Sequence, residues 1–433
     1  MFFTVRTNIF IQLLTLLTSV LTARLLGPLQ RGELALVLLY PMLIANITIM
    51  GFEKTVAFMT GRGLVEKPLR MIRKIILLLV LPSIVSAFIL IKLRISDSHL
   101  VTLALIYTIF IPLNQLFVLL VAMLNGTGNF ILYNKVRLIN YAMNCALIAL
   151  VFFVSESSFL INIDKVQLIL LSNMLASMTA LIALSVSSTI RTQAVNEKNN
   201  FTDTKTLLSI SSVAMMYMIP QALGYFNTIA YQIYVAHWAN LEQLGTIVVM
   251  ISYTRMLAPF GSAAAAHLLH EGIHETKTDI ARSFRMCIVA YLVGSMLLLL
   301  LSSYSIPILF GSSFKTDANI VALLLTSSLL SMSSDGLAEY LNGNKNPSAD
   351  TIGRVLHLVT TLILIYIFAP ILGILGIALA MTCSDLIRLV WLVIKTSIFI
   401  NLPVLIFFRL RKSDAIDVLQ IFKKYLRLIF VRE

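Results

Sequence analysis

Long apolar runs alternate along the chain with short stretches rich in charge or turn residues. The runs lie at about 5–26, 33–59, 74–92, 100–124, 131–154 and 165–189, and again at about 207–236, 243–266, 284–309, 317–341, 352–369 and 371–394. A hydrocarbon core about 30 Å thick is crossed by about 20 helical residues, so each run is long enough to span it. Strands of a membrane barrel would instead alternate apolar and polar positions over about ten residues. The run that starts at Ile75 is apolar on every face, which fits a spanning helix and no barrel strand. The pattern therefore predicts an all-α polytopic membrane protein with about twelve transmembrane helices. A further apolar stretch, Thr396–Phe408, is about 13 residues long and carries Pro403, so it reads as an interfacial segment.

The most polar break, RTQAVNEKNNFTDTK at 191–205, falls near the middle of the chain and separates two sets of six runs. Sequence similarity supports a repeat. LNGTGN at 124–129 resembles LNGNKN at 341–346, an offset of 341 − 124 = 217 residues, and Arg137 and Arg354 are separated by the same offset. Each matched segment follows the fourth run of its set and opens the fifth. The expected organisation is an N-terminal six-helix lobe at 1–195, a cytoplasmic linker at 196–206 and a C-terminal six-helix lobe at 207–396. The remainder, 397–433, reads as an interfacial segment and a basic tail. Same-orientation repeats are related by an axis along the membrane normal, a common plan for transport proteins. Within the tail, Val418, Phe422, Tyr425 and Ile429 follow helical spacing while Lys423, Lys424 and Arg427 take other faces, as in a helix lying on a membrane surface.

Composition agrees with burial in lipid: 58% of residues are hydrophobic and 12% are charged, about half the usual charged share. The formal charge of +13 is read as loop charge that sets topology and meets anionic lipid, with no nucleic-acid partner expected. Roughly 24 of the 33 Lys and Arg fall on one side if the N-terminus is inside, so both termini are expected in the cytoplasm. The first run has no charged leader beyond Arg6 and no clear small-x-small site, so it reads as a membrane span and not as a cleaved signal. Cys145, Cys287 and Cys383 have no paired spacing, which indicates neither a disulfide framework nor a zinc site.

One motif points to different chemistry. His270, Glu271 and His274 spell H-E-x-x-H, the pattern in which two His bind zinc and Glu activates water, with His267 a further ligand. Gly272 weakens the helix that this geometry needs. The stretch also sits at the end of a run, where His and Glu commonly form a solvated loop. No metal site is therefore expected, and a membrane zinc metalloprotease stands as the alternative.

Ionisable residues inside the runs carry more information, because each costs about 2.5–3.5 kcal/mol at the bilayer centre. Glu53 and Lys54 lie in the second run, Arg255 in the eighth, Asp335 and Glu339 in the tenth, and Asp385 and Arg388 in the twelfth. Asp385 and Arg388, three apart, read as an ion pair. Arg255 has no acid within a turn, so it should face water or an acid such as Asp335 or Glu339. Arg24 ends the first run, and Arg137 and Arg354 open the fifth run of each set. Cations at such places attract a phosphate or pyrophosphate.

TARLLGPLQRGELALVLLYP at 22–41 closely resembles the first-to-second helix junction of bacterial polysaccharide flippases of the multidrug/oligosaccharidyl-lipid/polysaccharide exporter superfamily. LNGTGNFILYNKVRLIN at 124–140 and LGILGIALAMTCSDLIR at 372–388 are similar to that family's fourth-to-fifth junction and twelfth-helix opening. The resemblance implies a V-shaped pair of six-helix lobes in the inner membrane that alternates between inward- and outward-open states. It implies transfer of an undecaprenyl-pyrophosphate-linked oligosaccharide to the outer leaflet, with no covalent chemistry and no cofactor beyond a coupling ion, H+ or Na+. Further partners would be membrane lipids, a polysaccharide polymerase and glycosyltransferases. Arg24, Lys54, Arg137, Arg255 and Arg354 are then expected to bind substrate, and Glu53, Asp335, Glu339 and Asp385 to serve coupling or gating. Many relatives carry Arg-x-Asp in the seventh helix; here the corresponding stretch is Ile229-Ala230-Tyr231. A multidrug or cation antiporter of the same superfamily is the nearest alternative.

Overall fold

The protein is represented by a computed structural model that describes residues 2–61, 68–155, 164–187, 204–238, 240–258, 280–314, 317–343 and 347–409. Among the described residues all regular structure is helical. In chain order the helices are α1 (Phe2–Ile49), α2 (Phe52–Gly61), α3 (Pro68–Arg94), α4 (Ser98–Tyr107), α5 (Phe110–Gly126), α6 (Phe130–Ser155) and α7 (Lys165–Val186). They continue with α8 (Thr204–Trp238), α9 (Leu241–Thr254), α10 (Ile280–Phe310), α11 (Ala318–Gly343), α12 (Pro347–Leu372), α13 (Ile374–Ile400) and α14 (Leu405–Phe408). The motif His270–His274, the 191–203 part of the central polar break and the basic tail from residue 410 lie outside the described residues.

Among the described residues nine helices are long and apolar enough to cross a membrane, and one of them, Arg6–Gly61, holds 56 residues and covers the first two expected runs. The loop expected between those runs is a single-residue kink. Gly27 adopts φ 68° and ψ −178°, a region open essentially to glycine alone. Pro28 follows and restarts the helix where its missing N–H costs nothing. The second run is also divided, because Gly51 takes φ 81° between α1 and α2. The fourth run bends between α4 and α5, where Thr108 Oγ1 donates to the Leu105 carbonyl at 2.6 Å. Helix starts are capped as their sequences allow: Asp97 accepts from the backbone N–H groups of His99 and Leu100, and Asp164 accepts from that of Val166.

The 217-residue repeat extends to element boundaries. Helix α5 ends at Gly126 and α11 at Gly343 (343 − 126 = 217); α6 and α12 begin at Phe130 and Pro347 and end at Ser155 and Leu372, with the same offset each time. One helix–turn–helix thus occurs twice in register.

The chain divides into two compact units: Met1–Tyr225 with Gln232–Val249 and Leu309–Phe314, and Phe226–Tyr231 with Met250–Ile308 and Lys315–Glu433. In the first, Leu119, Met123 and Leu124 of α5 pack with Val56, Met59, Ile72 and Ile75. In the second, Leu337, Tyr340 and Leu341 of α11 pack with Leu389, Leu392 and Val393 of α13, and with Phe284 and Phe407. Large apolar side chains also cover outward faces, among them Leu77, Leu78 and Leu81 of α3 and Leu300 of α10. That surface suits lipid, and the chain is a multi-pass membrane protein. Of the stretch Thr396–Phe408, the first five residues complete α13; Asn401 caps it in the left-handed conformation, and only the four residues of α14 are helical beyond it.

Candidate functional site

Among the described residues, the densest collection of charge lies in the second unit, where α11, α12 and α13 face one another. Helical spacing aligns it: Asp350, Arg354 and His357 fall on successive turns of α12, and Asp385 and Arg388 are three apart on α13. Arg388 is buried (4% exposed) and its Nη2 reaches Asp335 Oδ1 of α11 at 2.8 Å and Asp350 Oδ1 of α12 at 3.1 Å. Arg354 Nε donates to both Asp350 oxygens, at 3.1 and 3.0 Å, and its Nη2 lies 3.9 Å from Asp335. Beside this group, Asp385 is bonded at both oxygens: His357 Nε2 lies 3.0 Å from Oδ1, and Ser327 Oγ of α11 donates to Oδ2 at 2.6 Å. A charge buried among apolar helices persists only when paired, so the three helices are tied by groups that cannot separate without a penalty.

Asp385 and Arg388, expected as an ion pair with each other, take their bonds from other helices. Both reach the same two helices through different residues, Asp385 to Ser327 of α11 and His357 of α12, and Arg388 to Asp335 of α11 and Asp350 of α12. Asp335, considered as a partner for Arg255, is engaged by Arg388 and Arg354. Arg255 itself is exposed and opens the 3-10 turn Arg255–Leu257 after α9. Glu339 is half-buried one turn beyond Asp335. Asp350, His357 and Ser327 were not anticipated. The signal available for them was their place one helical turn from Arg354 and, for Ser327, nothing stronger than its polarity.

The first unit holds the other expected residues at separate places. Arg137 of α6 is half-buried; its Nη1 donates to Asn8 Oδ1 and to the Tyr133 hydroxyl, both at 3.1 Å, and its guanidinium lies 4.9 Å from the Tyr133 ring centre. All these partners are neutral. Arg354, the repeat-related cation, is neutralised by acids instead. Arg24 is exposed one turn before the Gly27 kink, with Nε donating to the Leu309 carbonyl at 2.8 Å. Lys54 is exposed on α2, whereas its neighbour Glu53 is half-buried and accepts from Gln221 Nε2 at 2.9 Å. Gln221 Oε1 also accepts from the Gly51 backbone N–H at 2.6 Å, satisfying a donor that the α1–α2 break leaves open. Asn46 Nδ2 donates to the Tyr225 hydroxyl at 3.1 Å.

No family model and no curated protein matches the sequence. Solved structures do match. The lipid II flippase MurJ in an inward closed conformation is 15% identical, with a TM-score of 0.73 over 100% of this chain and 94% of that one. A multidrug resistance MATE family transporter of the MOP superfamily, inward-facing, is 14% identical, with a TM-score of 0.65 over 90% and 94%. A MOP superfamily transporter from Pyrococcus furiosus Vc1, for which a reversed polarity of the binding pocket suggests a different function, is 12% identical, with a TM-score of 0.59 over 91% and 96%. At such identities the likeness speaks for the fold: the chain has the all-α fold of these membrane transporters.

Proposed function

We propose that this chain is a flippase that moves an undecaprenyl-pyrophosphate-linked oligosaccharide from the inner to the outer leaflet of the plasma membrane for cell-surface polysaccharide synthesis. The observation that carries the reading is Arg137. Its guanidinium is held in a membrane-spanning helix by an amide oxygen, a hydroxyl and an aromatic ring, none of which cancels its charge. A diphosphate supplies what those partners lack, two anionic groups for a fixed guanidinium fork. Arg24, Lys54 and Arg255 add exposed cations along the chain. The junction motifs and the fold shared with a lipid II flippase support the same cargo class. Binding and release suffice for this task, and both termini lie in the cytoplasm by the distribution of Lys and Arg.

The antiporter reading draws on the MATE likeness and on the acids in the spans. Those acids are poorly placed for an organic cation, since Asp335 faces two guanidiniums and Asp385 a histidine and a serine.

The test is purified protein in liposomes with a short-chain polyprenyl-diphosphate oligosaccharide, its outer-leaflet fraction read by a membrane-impermeant glycosidase. Protein-dependent appearance of the probe is expected, with Arg137→Ala lowering the rate by at least tenfold. In cells, deletion should strand lipid-linked units on the cytoplasmic face and abolish the surface polymer. Normal surface polymer in the deletion strain would overturn the proposal.

A further inference from the structure

Arg137 answers the anionic head of the proposed cargo and leaves its glycan without a counterpart. A second polar group of side chains has the chemistry to meet it. Asn46 of α1, Glu53 of α2, and Gln221 and Tyr225, one turn apart on α8, come together inside the first unit. They form two rungs. Gln221 Nε2 donates to Glu53 Oε1 at 2.9 Å, and Asn46 Nδ2 donates to the Tyr225 hydroxyl at 3.1 Å. Residues one helical turn apart are separated by about 5–6 Å, a distance that one sugar ring can bridge.

Polar groups among apolar helices are costly unless their hydrogen-bonding capacity is used. These four are half-buried, and the bonds they make among the described residues leave capacity over. The Gly51 N–H can only donate, so it holds the Gln221 oxygen on its side and turns the amide hydrogens toward Glu53. One of those hydrogens remains, as does Glu53 Oε2, and Glu53 meets no cation among the described residues. Asn46 spends both amide hydrogens, on Tyr225 and on the Met42 carbonyl at 2.8 Å, and keeps its Oδ1. Tyr225 accepts from Asn46 and keeps its own hydroxyl hydrogen to give. Bracing the α1–α2 break takes only the bond to Gly51; the carboxylate and the second rung are left over from that joint.

We propose that Asn46, Glu53, Gln221 and Tyr225 form a saccharide subsite that holds hydroxyl groups of the cargo glycan. The inference rests on the flippase reading. A hydroxyl both donates and accepts, so a sugar answers the spare acceptors of Asn46 and Glu53 and the spare donors of Gln221 and Tyr225 together. The Tyr225 ring adds an apolar surface for sugar C–H groups. A diphosphate does not fit here, because its charge would meet the Glu53 carboxylate. Head and glycan of one cargo thus go to separate places, the diphosphate to Arg137 and the sugar to α8.

The test is equilibrium binding to the full chain in lipid nanodiscs, with two probes: a short-chain polyprenyl diphosphate carrying a disaccharide, and the same lipid without sugar. The native protein is expected to favour the glycosylated probe by about tenfold, the worth of one or two net hydrogen bonds. Glu53→Gln removes the charge but keeps the side-chain length, and Tyr225→Phe removes the hydroxyl but keeps the ring. Each should bring the two affinities together, while binding of the bare lipid to the same sample reports that the variant is folded. A preference that survives in both variants would overturn the subsite. Equal binding of both probes by the native protein would also overturn it and leave the diphosphate reading standing, whereas binding of neither would remove both. Tight binding of tetraphenylphosphonium that Glu53→Gln abolishes would assign the carboxylate to an organic cation and overturn the saccharide assignment.

Discussion

Arg137 and Arg354 occupy the same place in the repeat and meet opposite surroundings. One guanidinium rests on Asn8 and Tyr133; the other is shared between Asp350 and Asp335. Removing either should therefore act differently. Arg137→Ala is expected to reduce probe movement while leaving thermal unfolding in detergent almost unchanged. Arg354→Ala, in contrast, leaves Asp350 paired with Arg388. Asp350→Asn goes further, because it takes a carboxylate from two buried or half-buried guanidiniums at once. Breaking a buried pair from one side costs about 3–5 kcal/mol, so this variant should unfold at markedly lower denaturant. Replacing Asp350 and Arg388 together by apolar residues should restore much of that loss, and equal instability in the single and double variants would count against the pairing.

At the scale of elements, the joints between helices are set by backbone geometry. Gly27→Ala forces a Cβ into φ 68°, ψ −178°, which costs about 1–3 kcal/mol; a shift of that size in the unfolding midpoint is expected. Helices α1 and α9 approach closely inside the first unit. A Cβ on Gly32 would strike the Leu241 carbonyl, and one on Gly245 would strike the Pro28 carbonyl, all rigid backbone. Gly245→Leu should thus push α9 off α1 and destabilise the protein by about 1–3 kcal/mol through overpacking. Gly245→Ala should cost less, and a leucine tolerated without change would contradict the close packing. The Gln221 bridge to Gly51 and Glu53 belongs to the same class of joint, since a side chain closes the gap left by an interrupted helix.

For the whole molecule, the excess of Lys and Arg in alternate loops predicts the topology directly. Reporter fusions at residue 195 and at the C-terminus should both be active in the cytoplasm, and a reporter active only outside would reverse the orientation. The all-α membrane class and the approximate position of the apolar segments were legible in the sequence, because a bilayer demands about 20 apolar residues per crossing whatever they later pack against; the fusion of the first two runs and the breaks at Gly51 and Thr108 were not. The repeat was legible as well; its 217-residue offset reappears at the ends of α5 and α11 and at both ends of α6 and α12. What the sequence by itself determined, then, was which segments enter the membrane and where charge must be explained. Only the tertiary structure decided how that charge is disposed. Asp385 and Arg388 look paired along one helix, yet hydrogen bonds are won by whichever group a neighbouring helix brings within about 3 Å, and those groups lie 28 to 58 residues away in Asp335, Asp350, His357 and Ser327. Pairing across helices depends on rotation and depth, which hydropathy does not encode.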